Sequence, residues 1–161
     1  MLLSTTDIDS LLRSSHVTGP NYRGTFPCDM LPRLALFPHH KPALIVVNKG
    51  PSSSEGSHWI LVYFPRDSRL PSYLFDSLGL DLSHTRDDQR IRAFILRNNK
   101  RGYVANFRRI QAPESTSCGL YVLAAAWLLS RHVPPDSLHH HMAVTDDRLR
   151  LLIRRMYSPQ N

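Results

Sequence analysis

The stretch "QAPESTSCGLYVLAAAW", residues Gln111–Trp127, joins a polar turn to a long apolar run, and Cys118 stands at the junction. From Cys118 to Leu129 the residues are apolar on nearly every side of a helix, which predicts a helix buried inside the fold. Three polar residues before the cysteine are the candidate caps for its start: Ser115, Thr116 and Ser117.

Four strands are predicted around this helix. Ala43–Asn48 is apolar and rich in β-branched residues, which favours a strand buried on both faces. The segments His58–Phe64 and Ser72–Ser77 predict a hairpin, because a turn-rich loop joins them. Tyr103–Ile110 is the fourth predicted strand. The segment 18–42 is dense in proline and turn residues, so we expect irregular structure there.

Amphipathic helices complete the pattern. A first helix is expected to run from a cap at Asp7 or Asp9 to about Ser14. Residues Asp87–Asn99 and Asp146–Met156 both place apolar side chains at helical spacing. The predicted fold class is therefore α+β, with a mixed β-sheet packed on a buried central helix and with flanking helices. At 161 residues, the chain 1–161 is expected to form a single domain.

Cys118 is one of only two cysteines, which favours a reducing compartment. At a helix start, unpaired backbone N–H groups and the helix dipole favour the reactive thiolate. The competing interpretation is a structural cysteine packed in the core. Cys28 is interpreted as a small buried residue, with a redox partnership with Cys118 as the alternative.

A cysteine nucleophile needs a base, and an acid that orients that base. His58 opens one strand of the predicted hairpin and Asp76 ends the other, so the open end of the hairpin places them side by side. Trp59 is expected to shield the imidazole and to form one wall of a cleft. The alternatives are a capping or surface histidine and a turn-forming aspartate.

Attack on an amide builds negative charge on the carbonyl oxygen, which needs hydrogen-bond donors. The side chain of Gln111 and the backbone N–H of Cys118 are the candidate donors. Gly119 leaves room beside the sulfur and is expected to let a substrate backbone approach.

The net charge is +7, from 20 Lys and Arg against 13 Asp and Glu. Clustered basic residues predict contact with a polyanion such as DNA, and a solvated face that aids solubility is the alternative. The candidate DNA-contacting residues are Arg97, Lys100, Arg101, Arg108, Arg109, Arg154 and Arg155. No metal site is predicted, because three consecutive histidines, His139–His141, cannot all face one ion in a regular element.

The motifs "GSHW" and "YLFDSLG", followed by "Q" with "CG" seven residues later, resemble the adenovirus-type cysteine proteases (adenains). These enzymes share a clan with proteases that process SUMO and related proteins. The resemblance covers roughly residues 10–130. It implies His58 as base, Asp76 as orienting acid, Gln111 as oxyanion donor and Cys118 as nucleophile. The best-known members have Glu where this chain has Asp76.

The resemblance also implies a biological setting. Such enzymes cut viral capsid and core precursor proteins after small residues, typically glycine, during virion maturation. The expected location is the host nucleus and the virion, and the expected state is a monomer without a membrane anchor or metal. DNA and a viral peptide activate such enzymes. The stretch "ILRNNKRGYVANFRRI" has no cysteine, so a disulfide tether to that peptide is not expected. The alternatives are a protease acting on host ubiquitin or SUMO conjugates, and a non-catalytic DNA-binding virion protein.

Overall fold

The sheet has five strands in spatial order β1-β2-β3-β4-β5. The computed structural model describes residues 3–34, 42–50, 52–53, 58–79, 81–106 and 108–159. The two outer pairs are parallel and the two inner pairs antiparallel, so the sheet is mixed, as predicted. The strands are β1 Tyr22–Pro27, β2 Ala43–Asn48, β3 Trp59–Phe64, β4 Ser72–Phe75 and β5 Tyr103–Ala105.

Helices cover both faces of this sheet. They are α1 Thr5–Ser14, α2 Arg86–Asn98, α3 Cys118–Ser130, α4 Leu138–Met142 and α5 Asp146–Met156, with 3₁₀ helices at Cys28–Arg33 and Pro135–Ser137. In the described part of the chain, no helix has both the length and the apolar character needed to cross a membrane.

The sheet separates two apolar cores, and alternation along each strand divides the side chains between them. From β3, Trp59 and Leu61 pack on the side of α1, α3 and α5. Ile60 and Val62 point the other way, toward α2 and the first 3₁₀ helix. Helix α3 is buried along most of its length, so the prediction of a buried central helix with flanking helices is confirmed.

Two strand predictions were wrong in part. Tyr22–Pro27, within the segment expected to be irregular, forms β1 and pairs in parallel with β2, with an irregular register between Tyr22 and Gly24. The turn residues of this segment indicated irregular structure, so the strand was not predicted. Gly24, with a φ of +139°, adopts a backbone conformation that accommodates the register irregularity. Strand β5 ends at Ala105 rather than Ile110. The backbone N–H of the next residue, Asn106, still donates to Leu74 O at 3.3 Å, and the Asn106 side chain pairs with the backbone of Asp76.

Helices α1 and α2 begin earlier than predicted, α2 by a single residue. Ser4 caps α1 and Thr85 caps α2, each in a capping box with the aspartate three residues later, Asp7 or Asp88. Helix α5 begins at Asp146 as predicted, and Thr145 is its N-cap. Aspartate in a first turn is favoured by the helix dipole, which explains why the aspartates resembled caps in the sequence.

Gly79 provides a test of how the turn after β4 is built. Its φ is +67°, and a Cβ there would lie 2.7 Å from the backbone of Arg108 and Arg109. Gly102 has a similar φ of +76°, but its Cβ would meet only Leu96 at 3.8 Å. Gly102→Ala should therefore show the cost of the left-handed backbone alone, about 1–2 kcal/mol. Gly79→Ala should lower the free energy of unfolding clearly more, as measured by urea denaturation. Equal losses would contradict this packing.

Candidate active site

His58 and Asp76 meet at the open end of the β3–β4 hairpin. The two strands pair with Leu61 opposite Phe75, and this register brings the start of β3 beside the end of β4. The imidazole Nε2 lies 2.6 Å from Asp76 Oδ1, and both side chains are buried. The structure therefore places this pair as the hairpin geometry predicts.

Asp76 is held from several directions. The backbone N–H of Leu78 donates to its Oδ1 at 2.8 Å. The side chain of Asn106 pairs with its backbone: Asp76 N donates to Asn106 Oδ1 at 2.8 Å, and Asn106 Nδ2 donates to Asp76 O at 2.6 Å. Nothing in the sequence singles out Asn106 as part of the site. An amide residue at a strand end is a weak signal, because asparagine is also a common turn residue.

Cys118 is the first residue of α3 and lies against the same histidine. Its side chain is hydrogen-bonded to that of His58 and receives the backbone N–H groups of Trp59 and Gly119. Because Nε2 of the imidazole is bonded to Asp76, the other ring nitrogen, Nδ1, is left for the sulfur. The structure thus joins Asp76, His58 and Cys118 in one buried chain of contacts.

The pKa shifts of Cys118 and His58 favour an ion pair between the two side chains. Burial raises the pKa of Cys118, but the hydrogen bonds from His58 and the Trp59 backbone more than offset it, so the pKa falls below its ordinary value. Burial lowers the pKa of His58, but its bonds to Asp76 and Cys118 outweigh this and raise it to about 9. Both shifts act in the same direction: they favour a thiolate on Cys118 facing an imidazolium on His58.

Gln111 lies in the loop that leads to Cys118, and its amide is fixed at both ends. Ser77 Oγ donates to Gln111 Oε1 at 2.6 Å, and Gln111 Nε2 donates to the carbonyl oxygen of Ser115. A side-chain amide carries two N–H donors, so the bond to Ser115 leaves the second one for another acceptor.

The structure places Trp59 and Gly119 in the apolar core on the α3 side of the sheet. The Trp59 side chain is buried among the residues of the α3 core, and its backbone N–H reaches the sulfur. A Cβ on Gly119 would lie 3.3 Å from Leu3 and from Ile8. That face of Gly119 therefore packs closely against the N-terminal helix, and the expected opening for a substrate backbone does not lie there.

The candidate DNA-contacting residues do not share one surface. Helices α2 and α5 cover opposite faces of the sheet, which separates Arg97 from Arg154 and Arg155. Arg97 also donates to the carbonyl oxygen of Leu31 at 2.9 Å, so its guanidinium supports the first 3₁₀ helix. Four other candidates are exposed and lie closer in sequence to the active-site loops: Lys100, Arg101, Arg108 and Arg109.

The second cysteine belongs to the opposite core from Cys118. Cys28 is a free thiol packed on the α2 side of the sheet, with its Sγ 3.3 Å from the carbonyl oxygen of Lys49. Burial raises the pKa of Cys28 to about 11. Its surroundings agree with the interpretation as a small buried residue. Within the described residues no group of three or more His, Cys, Asp or Glu could hold a metal ion.

A cysteine at a helix N-terminus, a histidine that bonds it and a carboxylate that bonds the histidine define a cysteine peptidase. The more particular assignment comes from the sequence. A family model for the adenovirus endoprotease matches residues 22–147, well over half of the chain, and the chain belongs to this family. It is a cysteine endopeptidase, and its substrates are proteins. No curated protein matched it.

Solved structures share the fold. A protease of African swine fever virus (ASFV) superposes with a TM-score of 0.66 at 16% identity, covering 99% of this chain and 67% of that one. The central domain of an uncharacterized protein from Legionella pneumophila superposes with a TM-score of 0.53 at 17% identity, covering 96% of each chain. At these identities the likeness is one of fold.

The ion pair predicts selective labelling. At about pH 6, iodoacetamide should alkylate Cys118 much faster than Cys28, because only Cys118 has a lowered pKa. His58→Ala should strongly slow the alkylation of Cys118, since the imidazolium that stabilises the thiolate is lost. Mass spectrometry of both cysteine peptides measures the two rates in one sample, with Cys28 as internal control. Equal, slow labelling of the two thiols would contradict the ion pair.

The Asn106 contact predicts a second effect. Asn106→Ala should loosen Asp76 and weaken the carboxylate–imidazole bond, so the pKa of His58 should fall from about 9 toward its ordinary value. NMR titration of the His58 ring measures the change. The matched control is Asn98→Ala, because the Asn98 side chain bonds Phe94 O within α2. An unchanged pKa of His58 in Asn106→Ala would exclude this role.

Proposed function

We propose that Cys118 is the nucleophile of this endopeptidase, with His58 as acid and base and Asp76 as the group that orients the imidazole. The hydrogen-bonded chain from Asp76 Oδ1 through His58 to Cys118 carries the proposal. The carboxylate fixes which ring nitrogen faces the sulfur and stabilises the imidazolium.

The reaction then follows from these positions. The Cys118 thiolate attacks the carbonyl carbon of the scissile amide, and the imidazolium gives its proton to the leaving amine as the C–N bond breaks. This leaves an acyl thioester on Cys118 and a neutral imidazole on His58. Water, deprotonated by His58, attacks the thioester, releases the acid product and restores the thiolate.

Gln111 supplies one donor for the developing oxyanion. Ser77 and Ser115 fix the two ends of its amide, which directs the remaining Nε2 hydrogen without a further ordering cost. The backbone N–H of Cys118, at the start of α3, is the second donor. Both lie on the same loop and helix junction, so they move together.

The substrates are viral capsid and core precursor proteins, cut after small residues at glycine-type sites during virion maturation. Membership of the adenovirus endoprotease family supports this. The burial of the reacting groups agrees with it, since Cys118 is 6% and His58 9% exposed. Such narrow access favours a glycine beside the scissile bond. The single domain would act as a monomer in the host nucleus and the virion.

DNA is proposed as an activator, together with a viral peptide bound without a disulfide. The net charge of +7 and the exposed Arg108 and Arg109, close to Gln111 in sequence, support polyanion contact. A bound polyanion would concentrate the enzyme with DNA-associated precursors.

Cleavage of the precursors tests the proposed function. Wild-type protein should cut capsid or core precursors after a glycine, and Cys118→Ala should be inactive. Gln111→Ala should lower kcat by about 10²–10³-fold, the loss expected for one oxyanion donor. Gel analysis and mass spectrometry of the fragments give the sites. Cleavage by Cys118→Ala would refute Cys118 as the nucleophile. Cleavage only of ubiquitin-like conjugates would refute viral precursors as the substrates.

DNA activation is tested with a glycine-containing peptide. Its cleavage rate should rise with added duplex DNA, and the rise should shrink as salt concentration increases, because counterions compete for the arginines. The double variant Arg108→Ala/Arg109→Ala should respond less than Arg154→Ala/Arg155→Ala, whose arginines lie on α5. If the cleavage rate changes with neither DNA nor salt, DNA is not an activator and the basic residues serve solubility only.

A further inference from the structure

Asp146 connects the last helix to the loop before the nucleophile. It is the first residue of α5, and its Oδ2 accepts hydrogen bonds from Ser115 Oγ at 2.6 Å and Ser117 Oγ at 2.7 Å. The Tyr121 side chain, in the first turn of α3, lies close enough to influence the same carboxylate. Two hydroxyls from the loop before Cys118 thus converge on one carboxylate from a distant part of the chain.

The two serines control different parts of the candidate site. The carbonyl oxygen of Ser115 accepts the Gln111 amide, so its position sets the direction of that amide. Ser117 directly precedes Cys118, and its backbone N–H donates to Ser115 Oγ at 3.2 Å. A shift of this pair would therefore move the Gln111 amide and the Cys118 backbone N–H together.

At the N-terminus of α3, the Ser117 hydroxyl bonds Asp146 and not the helix backbone. Ser117 occupies the N-cap position of α3, yet its side chain makes no capping hydrogen bond. Its hydroxyl is turned toward Asp146 instead. Serine at this position usually bonds the helix backbone, so the loop gives up a local cap for a long-range contact. A carboxylate suits this site, because it only accepts and has lone pairs for several donors.

We propose that Asp146 is a positioning residue for catalysis: it sets the loop from Gln111 to Cys118 so that the oxyanion donors and the nucleophile keep their geometry. This rests on the proposed function of Cys118 and Gln111 and extends it to α5. Asp146 touches no reacting atom in this scheme and acts through Ser115 and Ser117. Because hydrogen bonds to a charged acceptor are the stronger ones, the ionised carboxylate holds the loop more firmly than an amide would.

A stabilising role in α5 alone must be separated from this one, and the chain offers a matched control. Asp147 is the next residue in the same first turn, and its side chain is 91% exposed and pairs with Arg150 at 3.3 Å. Asp147→Ala removes an equal charge from the same helix end, with the same loss of interaction with the helix dipole. It leaves the serine contacts in place.

The experiment compares wild type, Asp146→Ala, Asp146→Asn and Asp147→Ala on a glycine-containing peptide, together with melting temperatures. Asp146→Ala should lower kcat by about ten- to hundredfold while KM changes little, because a displaced donor affects the transition state more than substrate binding. Asp146→Asn should recover part of the loss, and Asp147→Ala should keep wild-type kcat. Equal kcat in Asp146→Ala and Asp147→Ala would overturn the proposal.

Two further measurements keep the outcome unambiguous. If Asp146→Ala does not fold, Ser115→Ala/Ser117→Ala removes the donors from the loop and retains the carboxylate in α5. This variant should show the same fall in kcat, and wild-type kcat in it would also overturn the proposal. Iodoacetamide labelling of wild type reports separately on the proposed function. Slow labelling of Cys118 in wild type refutes its role as the nucleophile. Fast labelling in wild type, together with a wild-type kcat in Asp146→Ala, refutes the positioning role alone.

Discussion

The burial of helix α3 is the constraint on which the rest of the structure depends. Its residues are apolar on every side, so one covering layer cannot suffice. The sheet covers one side and α1 and α5 the others. Each fully buried leucine or valine contributes about 1.5–3 kcal/mol, which makes this helix a rigid support. Its N-terminus is thereby fixed beside the hairpin end that carries His58 and Asp76, so core packing and catalytic geometry have the same cause.

The polar site at this end is held by hydrogen bonds between segments far apart in sequence. Asn106 pairs with the backbone of Asp76, and Ser77 bonds Gln111. A buried polar group without a hydrogen-bond partner lowers the stability of the fold. Each of these contacts therefore stabilises the observed arrangement of the site. Hydrogen bonds from distant segments thus hold Asp76 and Gln111 in place.

The sequence predicted the elements whose pattern is local. The continuous apolar runs Ala43–Asn48 and Cys118–Leu129 are recognisable from their composition and length, and the predicted hairpin placed His58 opposite Asp76. It did not reveal β1, because Gly24 and the prolines around it indicate turns and the partner strand lies about 20 residues later. Asn106 and Asp146 were missed for a related reason: their contacts join distant segments, and neither residue type is unusual where it stands.

The most direct test of the central claim is the ultraviolet absorbance of the thiolate, followed against pH in wild-type protein and in Cys118→Ala. The structure predicts that the Cys118 thiolate, seen as the difference between wild type and the variant, forms at lower pH than an ordinary thiol ionises, because the pKa of Cys118 is lowered. A difference that develops only above about pH 8.5, the ordinary range of a free thiol, would contradict the ion pair between Cys118 and His58.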